Sequence, residues 1–85
     1  MRATPLIPLD ALDTGECGTV CTLPDNPELR RRLTALGLIP GTKITVVNIS
    51  PAGDPKAYFF RGSLIALRHK DAQKILIKNR WAVEQ

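Results

Sequence analysis

Asn26-Pro-Glu-Leu-Arg-Arg-Arg-Leu-Thr-Ala-Leu-Gly37 runs into Leu38-Ile-Pro-Gly-Thr42, and then into Lys43-Ile-Thr-Val-Val-Asn-Ile49. The first stretch predicts the one clear helix of the chain, within residues 24 to 37. Asn26 suits the N-cap, Pro27 the first helical position, and Glu28 the positive end of the dipole. Leu29, Leu33 and Leu36 recur at i, i+4 and i+7, which defines one apolar face. Gly37 is placed to end the helix in a left-handed conformation. Pro40-Gly41 is a turn signal, and the Val, Ile and Thr content of residues 42 to 49 is that of a strand.

Outward from this centre the chain reads as short strands. Glu16 to Leu23 mixes β-branched residues with two cysteines and precedes the helix as a strand. Ser50-Pro-Ala-Gly-Asp-Pro55 is a loop, because its prolines cannot pair in a sheet. Lys56 to Phe60 and Ser63 to Arg68 are strands joined by Arg61-Gly62, short enough for a tight hairpin. Lys70 to Lys74 reads as a helical turn, and Ile75 to Lys78 as the closing strand. Residues 5 to 14 read as an extended entry with one helical turn, started by Asp10 and ended by Gly15. Five strands with one helix inserted after the first predict a small, bent antiparallel barrel, all-β in class. Closure of such a barrel removes aggregation-prone edges.

At 85 residues the chain fits a single domain spanning 1–85, with residues 79–85 as a polar tail carrying Trp81. The N-terminus lacks the apolar run of a signal peptide, and no stretch approaches the ~20 apolar residues of a membrane span. The chain therefore reads as soluble and cytoplasmic, with any membrane role exercised through a partner. Its 12 basic and 8 acidic residues give a net charge of +4, which suits an acidic partner surface and equally suits plain solubility.

Enzyme motifs are absent: no phosphate loop, no Gly-x-Ser-x-Gly elbow, no His-Glu-x-x-His. Asp54 and Glu16 stand without an acid or base partner in the sequence. Cys17 and Cys21 are four residues apart. On a strand they share a face about 13 Å apart, beyond disulfide reach. They read as small half-buried strand residues, or as a source of one thiolate for a shared metal site. With one histidine, a single chain does not easily build a four-ligand zinc site. The expectation is no required cofactor. Any divalent transition metal, zinc or ferrous iron, would be held weakly by His69, Asp71 and Cys21, completed by water, small anions or a second chain. His69 reads equally as a solvated loop residue.

Arg30-Arg31-Arg32 is either a solvated helix face or a cationic patch that meets an acidic protein surface. Nucleic-acid binding favours aromatics interleaved with basic residues, whereas Tyr58-Phe59-Phe60 lies elsewhere. Leu36-Gly37-Leu38-Ile39 puts apolar residues in a row at the helix exit, and Leu38 and Ile39 do not easily both point inward. The predicted partner surface is Arg30, Arg31, Leu36, Leu38 and Arg61.

The chain resembles the FeoA family. The resemblance rests on Leu33-Thr-Ala-Leu-Gly-Leu-Ile-Pro-Gly-Thr42, Ser50-Pro-Ala-Gly-Asp-Pro55 and Arg61-Gly-Ser-Leu-Ile-Ala-Leu-Arg68. Gly15-Glu-Cys-Gly-Thr-Val20 upstream, and Ala72 and Ile75 downstream, fit as well. It implies an SH3-like barrel and a non-enzymatic, cytoplasmic accessory role beside FeoB, the ferrous-iron permease with an intracellular G-protein domain. Neither nucleic-acid binding nor membrane insertion is implied, and the expected state is a monomer or weak homodimer. Cys17, Cys21 and the tail after Lys78 lie outside the pattern. A small RNA-binding SH3-like barrel is the alternative.

Overall fold

A computed structural model describes residues 6–79. It contains strands β1 (Leu6–Pro8), β2 (Cys17–Thr22), β3 (Lys43–Ile49), β4 (Lys56–Phe60), β5 (Ser63–Leu67) and β6 (Leu76–Asn79). Helix α1 (Pro27–Ala35) separates β2 from β3, and one turn of helix, α2 (His69–Ala72), separates β5 from β6. A 3-10 turn at Leu9–Ala11 follows β1.

The six strands form one antiparallel sheet in the order β1-β6-β2-β3-β4-β5. The expected antiparallel sheet with its inserted helix is therefore present, with two differences. A sixth strand, β1, pairs with β6 through Ile7 opposite Ile77. Its proline content reads locally as irregular chain, but Pro8 is tolerated because β1 is an edge strand. Nor does the sheet close: among the described residues no ladder joins β1 to β5, so both remain edges. Register shifts at Val20/Thr22 and Val46/Asn48 mark bulges, which bend β2 and β3 and add twist.

One face of the bent sheet builds the core. Val20, Ile44, Val46, Tyr58, Phe60, Leu67 and Ile77 point inward at period two, and Leu9, Leu12, Leu29, Leu33 and Leu38 cover them. Gly18 is required by close approach. A Cβ there would stand 2.7 Å from both Ile77 Cδ1 and the Lys78 carbonyl oxygen. Trp81 lies outside the described residues.

Candidate docking surface

Helix α1 begins as the sequence predicts. Asn26 Oδ1 accepts the backbone N–H groups of Glu28 at 2.9 Å and Leu29 at 3.1 Å, satisfying two donors of the first turn. Leu29 and Leu33 sink into the core, which leaves Arg30, Arg31 and Arg32 exposed. Arg30 and Arg31 line an open groove of about 530 Å³ with Asp25, Pro27, Thr34 and Ala35. The ion pairs found among the described residues are Arg68–Asp54 and His69–Asp10, so none involves these arginines.

The helix exit fixes which apolar residues face out. Gly37, at φ +97°, donates to the Thr34 carbonyl at 2.9 Å, and Leu38 donates to the Leu33 carbonyl at 3.0 Å. These are the paired bonds of a Schellman motif, in which the residue after the glycine packs on the last turn. Leu38 therefore joins Leu33 in the core and is fully buried. This corrects the prediction that Leu38 contributes to a partner surface. Leu36, at the C-cap, is 46% exposed, and Ile39 is 41% exposed. Leu36 thus stands outside the buried part of the face that its i+7 spacing implies. Thr42 locks the loop: Oγ1 accepts the Ile39 N–H at 3.2 Å and donates to the Gly37 carbonyl at 3.4 Å.

Arg61 arrives at this exit from the other side of the molecule. Arg61 and Gly62 both have positive φ, 49° and 80°, as a two-residue hairpin turn with the right-handed twist demands. The turn lays the arginine stem along Gly37: a Cβ on that glycine would stand 3.4 Å from Arg61 Cδ. The cation lies near the negative end of α1, a favourable placement. Arg30 and Arg31 thus lie on the exposed side of α1, while Leu36, Ile39 and Arg61 lie at its exit.

Within one chain His69, Asp71 and Cys21 do not gather into a site. Among the described residues no three His, Cys, Asp or Glu side chains gather as metal ligands. The His69 ring instead pairs through Nδ1 with Asp10 Oδ2, and its backbone N–H donates to Asp54 Oδ1 at 2.8 Å. Cys21 sits half-buried on the bulge of β2, its Sγ 3.6 Å from the Thr19 carbonyl oxygen. Lys56 Nζ donates to the carbonyls of Asp10 and Leu12 at 2.6 and 2.8 Å. This polar cluster ties the 3-10 turn, β4 and α2 together. Its members are separated by up to 59 residues, so no local sequence pattern announces it. The donors within one chain do not fit a closed zinc site, which needs about four converging ligands.

A family model described as the FeoA domain matches residues 7–79. The Fe(2+) transport protein A/Fe(2+) transporter FeoB fusion protein of Porphyromonas gingivalis (strain ATCC BAA-308 / W83) is 31% identical over 70 residues. That match covers 82% of this chain and only 8% of the relative's length. The solution structure of the FeoA protein from Chlorobium tepidum superposes with a TM-score of 0.84 at 32% identity, covering 92% of this chain and 74% of that one. Stenotrophomonas maltophilia FeoA complexed with zinc, a procaryotic SH3 domain protein, superposes with a TM-score of 0.75. It is 24% identical, with 85% of this chain and 89% of that one covered, a likeness of fold alone. The architecture is SH3-like.

Proposed function

Because the chain belongs to the FeoA family, we propose that it is an accessory and regulatory module of ferrous-iron uptake. It docks on the cytosolic G-protein portion of a FeoB-type permease through Arg30, Arg31, Leu36 and Arg61, with Ile39 taking the place of Leu38. The observation that carries the reading is the fusion relative, in which a transport protein A segment and a FeoB transporter share one chain. Fusion makes association intramolecular and raises the effective concentration of one part around the other. The geometry supports the choice of surface. Arg30, Arg31 and Arg61 have no ion-pair partner among the described residues, and the exposed apolar Leu36 and Ile39 lie at the exit of the same helix, a mix of charged and apolar side chains that suits an interface.

The module acts by binding, not by catalysis. An RNA-binding role has less support, because Tyr58 and Phe60 are core residues and only Phe59 of the aromatic run faces out. Iron is the cargo of the transporter in this reading. Any zinc or ferrous ion held by the module itself draws ligands from beyond a single chain.

Calorimetric titration with the isolated G-protein portion of the cognate permease tests this. Reversing Arg30 and Arg31 to glutamate should weaken binding by about tenfold or more, with the domain still folded. Undiminished affinity in the folded variant removes this surface.

A further inference from the structure

The two edges of the sheet are protected very differently. β1 is three residues long and contains Pro8, two of the devices that keep an edge from recruiting another strand. β5, Ser63-Leu-Ile-Ala-Leu67, has neither. It is five residues long, carries no charge and no proline, and pairs with β4 without a bulge.

Its register fixes which backbone groups are free. The two-residue turn makes Phe60 and Ser63 a hydrogen-bonded pair, and such pairs alternate along an antiparallel ladder. Tyr58–Ile65 and Lys56–Leu67 are then also hydrogen-bonded pairs. The N–H and C=O groups of Leu64 and Ala66 consequently point away from β4, along an edge that no described strand covers. On the outer face beside this edge, Leu64 is 63% exposed and stands opposite Phe59, 45% exposed, as a cross-strand apolar pair.

Charge selects the occupant. Arg61 and Arg68 bracket β5, both exposed; Arg68 has a single loose contact, 4.0 Å from Asp54. In the register that pairs β5 with itself over its full length, a second copy is disfavoured. Antiparallel pairing of two β5 strands about Ile65 would set Gly62 opposite Arg68, bringing Arg61 of one chain beside Arg68 of the other at both ends. Like charges juxtaposed in this way are repulsive. We infer that the edge of β5 accepts an extended segment of another protein as a seventh strand. That segment is apolar or β-branched at its centre and carries carboxylates at both ends. Backbone pairing supplies the contact, Phe59 and Leu64 grip alternate side chains, and the two arginines select the flanks. The edge rests on a different observation from the α1 surface proposed above and shares only Arg61 with it.

A blocked nonapeptide with two glutamates at each end of a Thr-Val-Thr-Val-Thr centre is the probe, and amide hydrogen exchange is the readout. Saturating peptide should slow exchange at Leu64 and Ala66 by about tenfold or more. N-methylating the peptide amides that face β5 should abolish this, and replacing its glutamates with lysines should weaken it. Reversing Arg61 and Arg68 to glutamate should cost the acidic peptide about fivefold in affinity and favour the lysine peptide. If that variant does not fold, the methylated and lysine peptides on the unaltered chain still decide. Exchange at Leu64 and Ala66 that the peptide leaves unchanged overturns the inference. So does slowing that survives methylation. Sedimentation showing a dimer with these amides already slowed assigns the edge to a second copy and overturns it as well.

Discussion

Tyr58 is fully buried, and among the described residues its hydroxyl finds no hydrogen-bond partner. Burial, with the Asp10 and Asp54 carboxylates adding to it, raises its pKa well above the usual tyrosine range. An unsatisfied buried hydroxyl costs about 1–3 kcal/mol, so Tyr58→Phe should leave stability unchanged or raise it by up to that amount. The pH dependence has a definite sign. An unfolded tyrosine ionises near pH ~10, whereas the folded phenol stays neutral. Its contribution is present in full below that pH and is lost as pH rises from there toward the raised folded value. Denaturant titrations of wild type and Tyr58→Phe should converge on one another below pH ~10 apart from a constant offset, and wild type should lose more stability above it. Parallel curves throughout the alkaline range would contradict the buried, raised phenol.

At the scale of elements, the end of α1 separates what was legible from what was not. The cap at Asn26 and the left-handed Gly37 are each written in residues within one helical turn of the cap, and both stand where the sequence puts them. The inward turn of Leu38 was legible too, had the Schellman bond pattern been followed one residue past the glycine. Leu38→Ala should therefore cost about 2–5 kcal/mol in a denaturant titration, as Leu33→Ala should. Leu36→Ala, at a half-exposed position, should cost under about 1 kcal/mol. The reverse order would return Leu38 to the surface. By contrast, β1 was hidden: it exists as a strand through pairing with β6, a contact between opposite ends of the chain. The Asp10–His69 pair was hidden for the same reason; it engages His69 Nδ1, and within one chain His69, Asp71 and Cys21 do not gather as metal ligands.

Across the whole molecule, one bent sheet does two things. Its inner face, with α1 laid over it, makes a core sufficient for a small domain, and the tight β4–β5 turn delivers Arg61 to the far end of the helix. Strand number and closure escaped the sequence reading because both depend on which distant edges meet, a property that alternation within a strand does not encode. Of the patch proposed for docking, the basic helix and the apolar residues at its exit were legible in the sequence. Which side chains are exposed there required the fold, which buries Leu38, exposes Ile39 and lays the Arg61 stem beside Gly37. The central claim is that this patch meets the cytosolic G-protein portion of the permease. Amide chemical shifts of the isotopically labelled chain, followed while the unlabelled G-protein portion is added, test it most directly. The account predicts that the largest changes fall on residues 30, 31, 36, 37, 39 and 61. Changes confined to β1, β6 or the Asp10–His69 cluster, with the helix exit undisturbed, would contradict it.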